Sequence, residues 1–159
     1  MQFDFLADRR KAIPTIASWY REEWGFRLRG DTLETSIERL SRYLNRDKIP
    51  FILVATTEEN IIGCAQLKYR EMADQFPEKE HWIGGVFVAP EYRDKGLGAR
   101  IIEETVTRAK ANLVSTLHLQ TERLDGGLYL RLGWQPVVQV NNHGLEVLVM
   151  ERHIGAEPA

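Results

Sequence analysis

One stretch in the middle of the chain limits what it can fold into more than any other: Ala89-Pro90-Glu91-Tyr92-Arg93-Asp94-Lys95-Gly96-Leu97-Gly98-Ala99-Arg100. It follows an apolar run, Trp82–Val88, that reads as a strand. It leads into Leu97, Ile101, Thr105 and Ala109, whose spacing lets one helix cover a sheet face. Glycines at 96 and 98 strip side chains from the point where the backbone turns into that helix. N–H groups are then free to surround an anion at the positive end of the helix dipole. Arg93, Lys95 and Arg100 add positive charge around the same point, so a phosphate fits there. Ordinary strand-to-helix turns share this pattern, and the rest of the chain has to decide between the two readings.

A dinucleotide-binding unit calls for a third small residue where Ile101 stands, and the Gly-Lys-Ser/Thr of a P-loop is absent. Glu122 lies roughly where a dinucleotide fold puts its ribose acid, so that rival is weakened by Ile101 and not eliminated. Upstream, Ile13, Ile16, Ala17, Tyr20 and Trp24 recur at helical spacing, with Pro14 in the first turn and an end near Gly25. Asp31 with Glu34 resembles a capping box, and Leu33, Ile37, Leu40 and Leu44 form the stripe of a second helix. Residues 51–55 and 61–69 read as a hairpin around a polar turn at 56–60, and 72–79 as loop. Gly84 and Gly85 inside the next strand predict a bulge or a close approach. Residues 117–121 form a strand and 126–132 a short helix stopped by Gly133. Residues 134–140 and 145–152 close a hairpin around Asn141 to Gly144. This order predicts an α/β fold with a mixed sheet, one domain over residues 1–154 and a short tail at 155–159.

The chain of 159 residues, 43% hydrophobic and 28% charged, is expected to be a soluble globule. A net charge of −2 gives no reason to expect nucleic acid as a partner. The single cysteine, Cys64, excludes a Cys-based zinc cluster and fits a reducing cytoplasm. The N-terminus lacks the apolar core of a signal peptide, and no run approaches the ~20 apolar residues that span a bilayer, so no membrane partner is expected.

Arg93-x-x-Gly96-x-Gly98, preceded by Val86-Phe87-Val88-Ala89-Pro90-Glu91-Tyr92, resembles the signature of the GNAT superfamily of acyl-CoA-dependent N-acyltransferases. Leu128-Tyr129-Leu130-Arg131-Leu132-Gly133-Trp134 resembles that family's Tyr-x-x-x-Gly-aromatic element, in the family's order and at its usual separation. The resemblance implies a mostly antiparallel sheet with one parallel, splayed pair, flanked by helices. It also implies acetyl-CoA as cosubstrate, no metal, and direct attack by a primary amine, small molecule or peptide, in a ternary complex. A homodimer is compatible with it.

By position, the resemblance assigns the pyrophosphate to the N–H groups of Asp94, Lys95, Gly96, Leu97, Gly98 and Ala99, assisted by Arg93. Val86, Phe87 and Val88 pair with the pantetheine arm as an added strand would, and the N–H of Val88 stabilises the acetyl oxygen. Tyr129 protonates the leaving thiolate. A phenol near pKa 10 stays protonated where a thiol near 8.5 begins to ionise. The strand position that holds a glutamate base in many relatives is Trp82 here, which leaves Glu71, Glu80, His81, Glu122 or water as substitutes. The missing strand glutamate leaves a non-catalytic acyl-CoA-binding module as the alternative reading, against which the retention of Tyr129 argues. Segments 25–30, 71–81 and 141–144 should contact the acceptor, and a polyamine, an aminoglycoside and a protein N-terminus all remain open.

Other residues have plainer expectations. Trp24, Trp82 and Trp134 suit a core more than a pocket. His118 and His143 lack a second ligand at metal spacing, and Cys64 is expected to be a buried small hydrophobe.

Overall fold

Residues 51–55 and 61–67 carry almost no charge, so both faces of the strands they form must be covered. The computed structural model describes residues 1–25, 32–58 and 60–155, and it covers those faces with helices on either side. The chain runs β1 (Gln2–Phe5), α1 (Ile13–Trp24), α2 (Leu33–Ser41), β2 (Phe51–Thr57), β3 (Asn60–Lys68), β4 (Trp82–Val88), α3 (Leu97–Ala111), β5 (Thr116–Thr121), α4 (Gly127–Arg131), β6 (Gln135–Asn142) and β7 (Leu145–His153). The strands form one seven-stranded sheet in the order β1-β2-β3-β4-β5-β7-β6. Every neighbouring pair is antiparallel except β4 and β5. The described residues therefore form the mixed sheet expected from the sequence.

Strand alternation sorts the core into two layers. Phe51 and Leu53 of β2 join Ile83, Leu117, Leu119 and Met150 on the face covered by Ile102 and Val106 of α3. Ile52 and Val54 point the other way and meet Ile16 and Ala17 of α1 and Leu40 of α2. Ile16, Ile52 and Ile102 are all fully buried, each a gain of roughly 1.5–3 kcal/mol over exposure. Ile101 packs against Gly63 of β3, where a methyl group would come within 2.6 Å of it. Close helix–sheet contact is thus secured by a glycine on the strand, and the bulky residue on the helix is accommodated.

Three details differ from the sequence reading. β1 was not anticipated: four residues on an edge strand, pairing only with β2, are too few to display an alternation. Thr56 and Thr57 extend β2 and do not belong to the turn. The cap of α2 is Thr32, whose hydroxyl accepts from the Thr35 N–H while Thr35 Oγ1 accepts from the Thr32 N–H. Thr32 is thus the N-cap in place of Asp31, which, with the rest of segment 26–31, lies outside the described residues.

Candidate functional site

β4 and β5 register with each other only at Trp82↔His118, where the His118 N–H donates to the His81 carbonyl at 3.0 Å. Beyond that point the two strands part. On its other side β4 is held by β3, with Ala89 N–H donating to the Ile62 carbonyl at 2.9 Å. Antiparallel alternation then turns the N–H groups of Val88 and Val86 away from β3, into the gap beside β5. A register shift opposite Cys64 and Gln66 marks a bulge at Gly85, whose φ is +55°. The sequence reading offered a bulge or a close approach here, and the structure has both. What approaches is the chain itself: Tyr20 of α1 donates to the Gly85 carbonyl at 2.7 Å.

At the far end of the gap stands the N-terminus of α3. Its N-cap, Gly96, has φ +77° and supplies no side chain to the first-turn N–H groups of this 15-residue helix. A Cβ at Gly96 would meet nothing within 4 Å, and one at Gly98 would meet only Val88 and Leu128 side chains at 3.9 Å. The concavity is therefore open and lined by donors, as an anion of pyrophosphate size requires. Asp94 joins it with a positive φ of 63°. Arg93 braces the loop: its Nε donates to the Val88 carbonyl at 2.8 Å and its guanidinium lies 5.2 Å from the Phe87 ring centre. Arg93, Asp94, Lys95 and Arg100 are all exposed around this point.

On the other side of the bulge lies a cavity of about 520 Å³ between α1, α2, β4 and β5. Tyr129 of α4 forms part of its wall together with Gly84, Gly85, Val86, Glu71 and Glu122. Burial, and after it the Glu71 carboxylate, push the Tyr129 phenol above the usual tyrosine range, so it is protonated at neutrality. Glu71 is held by Lys68 Nζ at 2.8 Å and by Gln120 Nε2 at 3.1 Å. Gln120 is in turn fixed by Asn142 Nδ2 at 2.8 Å. Sequence reasoning had no means of finding this chain of contacts, because its members come from three separate parts of the chain.

The four carboxylate and imidazole candidates divide cleanly. Glu71 and Glu122 line the cavity. Glu80 pairs with Arg70 at 3.7 Å and His81 lies tilted against the Tyr69 ring, 5.5 Å between ring centres, and neither lines the cavity. Val86 borders the cavity together with Tyr129, and Val88 does not border it. Trp82 and Trp134 are core, whereas Trp24 lines the cavity. Cys64 is fully buried against the Tyr20 hydroxyl, and burial pushes its thiol up to about 12.

The profile of the Acetyltransferase (GNAT) family matches residues 13–134. The chain belongs to the GNAT acetyltransferase family. That match spans both the loop at Gly96 and the Tyr129 element. No curated protein sequence matches the chain at a significant level. Among solved structures, an aminoglycoside 6'-N-acetyltransferase complexed with coenzyme A superposes with a TM-score of 0.77 at 15% identity, over 100% of both chains. The ribosomal-protein-alanine N-acetyltransferase from Brucella melitensis gives 0.76 at 20% identity, covering 96% of this chain and 99% of its own. An aminoglycoside 6'-acetyltransferase type Ii gives 0.75 at 16% identity, covering 99% and 100%. At such identities the likeness is one of fold. No helix among the described residues is long and apolar enough to cross a membrane.

Proposed function

We propose that this GNAT member transfers the acetyl group of acetyl-CoA to a primary amine bound in the cavity beside Gly84 and Gly85. The observation that carries the reading is that the gap between β4 and β5 joins two chemically distinct ends. At one end lies an uncapped, donor-lined helix N-terminus, and at the other a cavity walled by a protonated phenol and a carboxylate.

When bound, acetyl-CoA supplies an acetyl carbon already activated as a thioester. The N–H groups from Asp94 to Ala99 hold its pyrophosphate, with Arg93 fixing the loop against Val88. Val86 and Val88 offer outward N–H groups to the pantetheine arm as an adjacent strand would. Val86, at the cavity, is the better placed of the two to donate to the acetyl oxygen as that oxygen gains charge. Tyr129 gives its proton to the departing sulfur.

The test is thiol release from acetyl-CoA against putrescine, kanamycin, L-glutamate, L-alanine amide and an alanine-initiated peptide, alongside thermal unfolding with and without CoA. The expected result is a raised melting temperature with CoA and thiol release with at least one amine of the panel. CoA binding without any thiol release would favour the non-catalytic reading, and no CoA binding at millimolar concentration would remove the proposal.

A further inference from the structure

The carboxylate nearest to Gly84 comes from outside the strand. Glu71 belongs to the connection between β3 and β4, yet its side chain lies over the middle of β4, such that a methyl group at Gly84 would overlap Glu71 Oε1 and come within 3.0 Å of Lys68 Nζ. The side chain is only 16% exposed and lines the same cavity as Tyr129. Both of its oxygens are engaged, one by Lys68 and one by Gln120. A carboxylate offers about four lone-pair positions, so two remain for a ligand in the cavity. The Asn142–Gln120–Glu71 chain of hydrogen bonds, with Lys68 on the opposite oxygen, fixes the direction in which those positions face.

Resting on the acetyltransfer reading above, we infer that Glu71 is the proton acceptor for the amine, and that Gly84 is glycine because the carboxylate occupies the space of its side chain. Gln120 and Lys68 are positioning residues. The ammonium form of the acceptor gives one proton to a Glu71 oxygen. The freed nitrogen lone pair then forms the C–N bond at the acetyl carbon. The C–S bond breaks with its electron pair leaving on sulfur, Tyr129 protonates that sulfur, and its phenolate recovers the second proton from nitrogen. Glu71 returns its proton to solvent, so one ammonium and one thioester give one amide, one thiol and one proton.

Two variants test this on whichever amine of the panel the wild-type enzyme acetylates fastest. Glu71→Gln keeps the shape and removes the proton acceptor. It should lower kcat/KM by about 100-fold or more near neutral pH, with acetyl-CoA affinity unchanged. The deficit should shrink as pH rises toward the pKa of the amine, because an amine already unprotonated needs no base. Gly84→Ala leaves the charge in place and displaces it. The atoms it meets are the free ends of Glu71 and Lys68, which can swing aside, so the variant should keep its melting temperature and still lose at least tenfold in turnover. Wild-type enzyme that acetylates no amine overturns the transferase reading and Glu71 with it. Wild-type turnover shared by either variant, or a Glu71→Gln deficit equal at pH 6.5 and 9.5, overturns Glu71 alone.

Discussion

Gly96 and Gly98 stand at the start of α3, Gly84 and Gly85 in the middle of β4, and the space beside the two pairs is used in opposite ways. Beside the first pair there is nothing, or only side chains at van der Waals distance. Beside the second pair the chain fills the space itself, with Glu71 and Lys68 against Gly84 and with Tyr20 and Gln66 against Gly85. Glycine in the loop leaves a vacancy for a ligand made of backbone donors, which any CoA could occupy. Glycine in the strand makes room for a particular set of side chains, and so ties the β4 bulge to residues from distant parts of the chain. On the proposed function the cofactor end is built locally, whereas the acceptor end is assembled from distant parts of the chain.

Tyr129→Phe gives the largest effect, since Tyr129 stands where the two ends meet. On the proposed function the hydroxyl acts as the thiolate forms, an interaction stronger in the transition state than in the ground state. Turnover should fall by about 10²–10⁴-fold while CoA affinity holds, since the phenyl ring keeps its edge contact with Trp134, 6.2 Å away. Steady-state kinetics beside calorimetric CoA titration separates the two quantities. Wild-type turnover would remove Tyr129 from the chemistry. A joint loss of stability and affinity would make it a packing residue.

Tyr20→Phe addresses the strand pair. The Tyr20 hydroxyl donates to the Gly85 carbonyl, and the fully buried Cys64 thiol is a weaker substitute at 3.7 Å. Leaving that carbonyl without its main donor should cost about 1–3 kcal/mol, read as a lower denaturation midpoint with an unchanged slope. CoA affinity should change little, because the loop pair is untouched. An equal loss of CoA affinity would mean that the two ends are coupled through the bulge.

Gly98→Val is the converse experiment. Outside its own helix turn its Cβ would find no protein atom nearer than 3.9 Å, so the folded chain tolerates it, but the branched side chain would take the space assigned to the pyrophosphate in the proposed function. Acetyl-CoA should bind more than tenfold more weakly, about 1.4 kcal/mol, with stability little changed, because valine is no worse a helix former than the glycine it replaces. Calorimetry decides it, and undiminished affinity in a folded variant would make the loop an ordinary turn.

What could be read in the sequence follows the same division. Trp82–Val88, the helix at Leu97 and the stripe Leu97, Ile101, Thr105 and Ala109 were legible because each rests on neighbours a few residues apart, and all four stripe residues are buried. The mixed sheet and the family signature were legible for the same reason. Glu71, Lys68, Gln120 and Asn142 were not legible as a group. Their contacts join β3, its following loop, β5 and β6, and nothing in the local pattern of any one of them reports the other three. Gly84 and Gly85 signalled a close approach without saying by what, since an absent side chain records only that space is needed.

The smallest expected effect concerns the closed end of the β4–β5 pair, where His118 registers with Trp82 and the rings lie 5.4 Å apart. His118 is 6% exposed. Burial lowers its pKa below the usual histidine value, and Lys79 adds to the shift. The carbonyl of His81, 3.2 Å from Nδ1, and the Glu151 carboxylate, 3.6 Å from Nε2, oppose it without overcoming it. The folded state thus favours the neutral ring, and between the folded pKa and the unfolded value of about 6.5 the unfolded chain binds more protons. Stability contributed by the neutral ring is complete above about pH 6.5 and is lost as pH falls through the folded pKa, with a slope of at most about 1.4 kcal/mol per pH unit for one proton. His118→Gln should flatten that part of the acid limb in chemical unfolding measured from pH 8 to pH 5, while acetyl-CoA binding at the open end keeps its wild-type pH dependence. An acid limb identical in the variant would assign the loss to other groups. A parallel change in CoA binding would show that protonation at the closed end reaches the gap where β4 and β5 part.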